Sequence, residues 1–161
     1  MRLFAAGMDI PTDGIPVPKR YWAVLTIALA VGLAVIDGAI ANIALPTIAT
    51  DLNATPSAAI WVINAYQLSV TVTLLPLAAL GEIYGYRRVY MTGLAVFTVA
   101  SLCCALSSTL TELTAARVLQ GLGAAGIMSV NSALTRFIYP RSQLGRGMGI
   151  NALVAATCSA L

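Results

Sequence analysis

The sequence predicts an all-α integral membrane protein with four complete transmembrane helices and a truncated fifth. Three observations predict it. First, the 161 residues are 59% hydrophobic and 9% charged, whereas a soluble domain carries about 25% charged residues. A core that apolar would lack polar residues to cover it in water, and lipid removes the need. Second, the apolar residues gather into five runs, at about 21–45, 58–80, 89–106, 110–134 and 148–161. Third, apart from Arg117 the basic residues fall in the N-terminal tail and in alternate connections between those runs.

Crossing roughly 30 Å of hydrocarbon takes about 20 helical residues. The first, second and fourth runs are long enough. The third is near the lower limit. The fifth, 148–161, is too short to span alone. The domain plan is therefore a cytoplasmic tail over 1–20 and a partial transmembrane bundle over 21–161. The tail does not read as a signal peptide. Its apolar stretch from Leu3 to Met8 is too short, and Asp9, Pro11, Asp13, Pro16 and Pro18 follow it.

Each break has a local cause. Pro46 is expected to close the first helix. Thr55 followed by Pro56 reads as an N-cap with proline in the first turn. Gly85 opens a turn after the second helix. Thr109 with Glu112 is a capping-box pattern for the fourth, and Pro140 interrupts the chain before the fifth. Pro76 lies inside the second run, where a membrane helix tolerates it.

Arg2, Lys19 and Arg20 precede the first run, Arg87 and Arg88 follow the second, and Arg136, Arg141 and Arg146 follow the fourth. The other two connections hold Asp51, read as a solvated loop charge, and Glu112, but no basic residue. The positive-inside rule then puts the N-terminus in the cytoplasm. Tyr21, Trp22, Tyr84, Tyr86, Tyr90 and Tyr139 are expected to form an aromatic belt at that boundary. The net charge of +3 forms no basic patch, so no nucleic-acid partner is expected. Cys103, Cys104 and Cys158 make no metal or disulfide pattern and read as small apolar fillers. With no histidine, proton chemistry falls to carboxylates.

Apart from Glu112, which the capping box explains at the start of its run, Asp37 and Arg117 are the charges inside the runs. Each costs several kcal/mol to hold in lipid, so each should face protein or water. Helical steps through Asp37 pass Ala23, Ala30, Ala34, Ala41 and Ala44, a face suited to close packing. The opposite face is Leu25, Leu29, Leu33, Ile36, Ile40 and Ile43, suited to lipid. Arg117 is followed by Gln120, Gly121, Gly123, Ala124, Ala125 and Gly126, small residues for helix packing and one more polar group, with Asn131 further along. Asp37 lies roughly 12 Å inside the outer end of its helix and Arg117 roughly 10 Å, at 1.5 Å per residue. Both are expected to face one polar cavity and to pair directly or through water; a static structural ion pair is the other reading. No nucleophile with a base, metal cluster or phosphate loop suggests an enzyme.

Four segments resemble a known family. IDGAIANIALP at 36–46 resembles the first-span signature L-D-x-T-I-V-N-V-A-L-P of the fourteen-span drug:proton antiporters of the major facilitator superfamily, with Ala39 in place of Thr. AALGEIYGYRR at 78–88 resembles that superfamily's G-x-L-A-D-R-x-G-R-K-R loop, with Ala78 for the first Gly and Glu82 for Asp. LTAARVLQGLGAA at 113–125 resembles the fourth-span pattern L-x-x-x-R-x-x-Q-G-x-G-A-A, and WVINAYQL at 61–68 the start of the second span. The family's G-P-x-x-G-G motif of the fifth span would begin about where Ser159, Ala160 and Leu161 stand. The resemblance implies the incomplete N-terminal half of a multidrug efflux antiporter, multi-pass in the inner or plasma membrane of a bacterial cell. It would work by alternating access, exporting amphipathic or cationic small molecules against a proton gradient, with no cofactor. Asp37 and Arg117 would couple proton and substrate. Asn42, Gln120 and Asn131 would line the cavity, and Gly121, Gly123 and Ala125 would pack helices. Glu82, Gly85, Arg87 and Arg88 would latch one conformation against the missing C-terminal half. Alone, the chain would be inactive. The alternatives are a small oligomeric four-span exporter built on Asp37, and a non-transporting membrane scaffold or regulatory fragment.

Overall fold

The computed structural model describes residues 17–52, 54–139 and 144–159. Five helices follow one another: α1 (Val17–Asp51), α2 (Pro56–Tyr84), α3 (Tyr86–Leu106), α4 (Leu110–Ile138) and α5 (Leu144–Ser159). Among the described residues, four are long and apolar enough to cross a membrane: α1 from Tyr21, α2, α3 and α4. The expected tail up to residue 16, Pro140 and Arg141 lie outside the described residues, as do the side chains of Lys19, Arg20, Arg146 and Cys158.

The helix ends follow local chemistry. Thr55 caps α2, its hydroxyl accepting from the Ala58 N–H, with Pro56 in the first turn. Thr109 and Glu112 close a reciprocal capping box on α4, which satisfies donors that have no partner within the helix. Gly85 alone separates α2 from α3, at φ +95° and ψ 131°, a backbone region that favours glycine.

Pro46 does not close the first helix. It sits inside α1, which runs on to Asp51. The ring removes only the N–H that would reach the Asn42 carbonyl. Beyond it, the Thr50 hydroxyl donates to the Pro46 and Thr47 carbonyls at 3.3 and 2.8 Å, and the helix continues. Asp51 is therefore the exposed last residue of a helix.

The two faces of α1 separate as alternation of small and large side chains dictates. Ala30, Ala34 and Ala41 are buried, while Leu25, Leu29, Leu33, Ile40 and Ile43 are exposed, the state expected of residues that meet lipid. Tyr21, Trp22 and Tyr84 are likewise exposed. Tyr90 is not a belt residue: it is buried and donates to the Thr26 carbonyl of α1 at 3.2 Å. Tyr86 is half-buried, tilted against Phe137 with ring centroids 5.9 Å apart.

Helix α4 is the axis. It packs most extensively against α3 and α2, while α1 touches it lightly and leans also on α5. Glycines set the close approaches. A Cβ on Gly121 would lie 2.7 Å from the Tyr66 carbonyl oxygen and 2.8 Å from the Ser69 Cβ of α2. A Cβ on Gly123 would strike the backbone of Phe97 in α3, and Gly126 backs onto Gly93. Ala124, Ala125, Ile127 and Val130 complete a fully buried segment. Because these obstacles are backbone, they cannot rotate away. Gly123→Ala should therefore cost about 1–3 kcal/mol of stability, the range for overpacking. Gly38→Ala, with nothing within 4 Å of its added Cβ, should cost nothing; unfolding titrations in mixed micelles compare the two.

Candidate functional site

Asp37 reaches the site because the alanine face of α1 is the one turned inward, and Arg117 and Gln120 reach it because they stand one turn apart on α4. Arg117 Nη1 donates to Asp37 Oδ2 at 2.6 Å and to Gln120 Oε1 at 2.9 Å. Gln120 Nε2 donates to Asp37 Oδ1 at 3.0 Å and to the Ser101 hydroxyl of α3 at 2.8 Å. The Cys104 thiol donates to Gln120 Oε1 at 3.7 Å, and Ser101 passes its own proton to the Phe97 carbonyl at 2.9 Å.

The Gln120 amide thus uses two donors and two acceptor positions, its full inventory. Its orientation is fixed by charge: NH2 faces a carboxylate and C=O faces a guanidinium, and a flipped amide would oppose both. Gln120 is 1% exposed, so every one of these bonds replaces one that water would have made. The Asp37 carboxylate, with 24% of its side chain exposed, keeps contact with open space, while the Arg117 side chain is 10% exposed. Arg117 Nε is buried without a hydrogen-bond partner among the described residues.

Beside the pair lies a cavity of about 320 Å³ between α1, α2 and α4, lined by Gly38, Asn42, Ile63, Tyr66, Gln67 and Arg117 among others. Arg117 and Asn42 line this cavity, whereas Asp37 and Gln120, though bonded to Arg117, are not among its lining residues. Asn42 is exposed there, its amide donating to the Gly38 carbonyl at 3.0 Å. Asn131 is not brought to this cluster: it stands fourteen residues beyond Arg117, roughly 21 Å along α4, and does not line the cavity. Gly121, Gly123 and Ala125 lie on the faces of α4 that meet α2 and α3. Glu82, Gly85, Arg87 and Arg88 are exposed at the α2–α3 turn. Glu82 shares a separate pocket with Arg136, Tyr86 and Phe137, and no ion pair joins it to another described residue.

Cys104 is not an inert filler, since its thiol completes the Gln120 amide. Ser101, Cys104, Tyr66 and Gln67 were missed in the sequence. A signal existed for two of them: Gly93, Phe97, Ala100, Ser101 and Cys104 recur at helical spacing, which places the serine and the thiol on the face that α3 turns to α4.

A family model described as Major Facilitator Superfamily matches residues 27–161. The uncharacterized transporter YebQ of Escherichia coli (strain K12) is 58% identical over 151 residues, covering 94% of this chain and 33% of that protein. The riboflavin transporter RibZ of Clostridioides difficile (strain 630) is 36% identical over 84% of this chain and 30% of its own length. The putative multidrug resistance protein MdtD of Cronobacter sakazakii is 39% identical over 76% of this chain and 26% of its length. The chain therefore spans a third or less of the length of these curated relatives.

Removing one member of a buried pair strands the other. Arg117→Gln should cost about 3–5 kcal/mol. Gln120→Leu, which leaves Asp37 Oδ1 and Ser101 short of a donor, should cost about 1–3 kcal/mol. In Asp37→Asn/Arg117→Gln the combined loss should fall well short of the sum of the single losses, as a double-mutant cycle measured by unfolding in micelles would show.

Proposed function

The chain belongs to the Major Facilitator Superfamily, and on that premise we propose that it forms the N-terminal part of a proton-coupled multidrug efflux antiporter. The observation that carries this reading is the Asp37–Arg117–Gln120 cluster beside an open cavity between α1, α2 and α4. An intramembrane carboxylate that keeps part of its side chain exposed, paired to an arginine that lines a cavity, is a proton or cation acceptor by default.

The chemistry runs through charge balance. With Asp37 ionised, the guanidinium of Arg117 holds it and ties α1 to α4. A proton taken up on the exposed part of Asp37 cancels that attraction and leaves Arg117 as a positive charge to be balanced elsewhere. A cationic substrate competes for the same carboxylate, so proton and substrate occupy it alternately. In alternating access such an exchange favours one rocking position of two bundles around the site. The N-terminus and the α2–α3 turn lie in the cytoplasm in this reading, because the basic residues cluster there, and the membrane is the inner membrane of a bacterial cell. This chain alone does not transport, since rocking needs a second bundle.

Names among the relatives include both drug resistance and riboflavin transport, so ethidium and riboflavin are the compounds to try. A chimera in which this chain replaces the matching third of the Escherichia coli relative should move one of them out of cells with proton influx. Asp37→Asn in that chimera should cut coupled transport at least about ten-fold, against the ~1.4 kcal/mol that such a factor represents. Coupled transport that survives Asp37→Asn unchanged, or uptake by this chain alone in proteoliposomes under a pH gradient, would overturn the reading.

A further inference from the structure

Separate from the polar cavity and sharing none of its lining residues, an apolar groove of about 410 Å³ runs between α2, α3 and α4, with Pro76, Leu77, Thr92, Val96, Leu119 and Leu122 among its walls. Val96 and Leu119 are 40% and 50% exposed, so the groove opens outward rather than into the bundle. Its hydroxyl protons are committed within the helices, Thr73 donating to the Ser69 carbonyl at 2.6 Å and Thr92 to the Arg88 and Val89 carbonyls at 3.0 and 3.1 Å, and the surface it presents is almost wholly apolar. An occupant of its length is therefore apolar, because a polar group there would lose its bonds to water and meet almost no polar surface in return.

The mouth of the groove is different. Arg88, Thr92 and Val96 stand on successive turns of one face of α3, so the groove leads along α3 to an exposed guanidinium. Arg87 is beside it, also exposed, and among the described residues neither arginine has an ion-pair partner. Glu82, the nearest acid in sequence, lines the pocket that holds Arg136 instead. From Arg88 to Val96 the helix rises roughly 12 Å. That fits a phosphate at the membrane surface with the upper part of one acyl chain beneath it.

We propose that this groove is a binding site for one anionic glycerophospholipid of the leaflet that faces the α2–α3 turn. Its phosphate meets Arg88, with Arg87 adding to the field. One acyl chain lies between Pro76 and Leu77 on one wall and Val96 and Leu122 on the other. A zwitterionic lipid fills the groove equally well but gains less at the mouth, where each nearby arginine contributes about five-fold to the binding of anionic lipid.

Native mass spectrometry of the purified chain, with dioleoylphosphatidylglycerol and dioleoylphosphatidylcholine supplied equally, reads the site directly. One phosphatidylglycerol should be retained in preference to phosphatidylcholine. Arg88→Gln should reduce that retention about five-fold, Arg88→Lys should restore most of it, and Val96→Trp should abolish it by filling the groove. Equal retention of the two lipids overturns the proposal, as does full retention in Arg88→Gln. Full retention in Val96→Trp assigns the lipid to the turn alone and overturns the groove. Should Val96→Trp fail to fold, as circular dichroism would show, a second measurement decides. With Trp22 and Trp61 replaced by phenylalanine, the fluorescence of Leu119→Trp should be quenched more by chain-brominated phosphatidylglycerol than by the brominated phosphatidylcholine. Equal quenching overturns the site.

Discussion

The bond between Asp37 and Arg117 constrains everything around it. Two opposite charges taken out of water each lose several kcal/mol of hydration, and they regain it only through pairing and further hydrogen bonds, which here leave Arg117 Nε as the one buried polar side-chain atom of the pair without a partner among the described residues. The chain meets that demand with Gln120, which supplies the second donor to the carboxylate and the second acceptor to the guanidinium. Ser101 and Cys104 then satisfy what Gln120 has left. Three helices are thereby committed to one another by five side chains. The arrangement also distributes strength unevenly. Helix α4 meets α2 and α3 through backbone-to-backbone packing at its glycines, whereas its contact with α1 is sparse. A larger share of what holds α1 to α4 is therefore electrostatic. Packing is indifferent to protonation, and an ion pair is not.

The division of α4 into faces explains why it is the most buried of the helices. Arg117 looks to α1, Gln120 to both α1 and α3, Gly121 to α2, and Gly123 and Gly126 to α3. Lipid tails give no hydrophobic reason for membrane helices to associate, so close van der Waals approach has to do it. Small residues on two faces permit that approach, and polar residues on a third force an exception, since a guanidinium cannot pack as tightly as a glycine. The cavity beside Arg117 lies on that third face.

Much of this was legible beforehand. The inward turn of Asp37 followed from alanines at helical spacing, and the cap of α4 from Thr109 and Glu112. The partnership of Asp37 with Arg117 followed from energetic need together with matched depth. Pro46 misled because a proline rule learned from water overstates the loss in a long membrane helix, where one missing hydrogen bond interrupts many that remain. Tyr90 misled because position near a boundary says nothing about which way a side chain faces; its hydroxyl instead found the Thr26 carbonyl. Ser101 and Cys104 were harder. A serine or a thiol in an apolar run bonds to its own helix as readily as to a neighbour, and only the placement of α3 against α4 shows which one happens. Asn131 shows the converse, a polar residue on the right helix but about four turns of rise too far along it.

Depth also separates residues of the same chemical type. Glu82 and Arg136 line one pocket near the α2–α3 turn and form no ion pair, while Asp37 and Arg117 are locked at 2.6 Å. In water a unit pair at 4 Å gains about 1 kcal/mol, and near a protein surface about 4; side-chain entropy offsets most of that at an exposed site. At the bundle's end the charges can therefore stay solvated and separate, each free to meet another group. In the bundle's middle the Arg117 side chain is 10% exposed, so solvation replaces little of the pair, and separation is favoured when a proton or another ion takes the partner's place. The same two residue types thus act as independent surface charges at one depth and as a single coupled unit at another, and what decides between them is access to water.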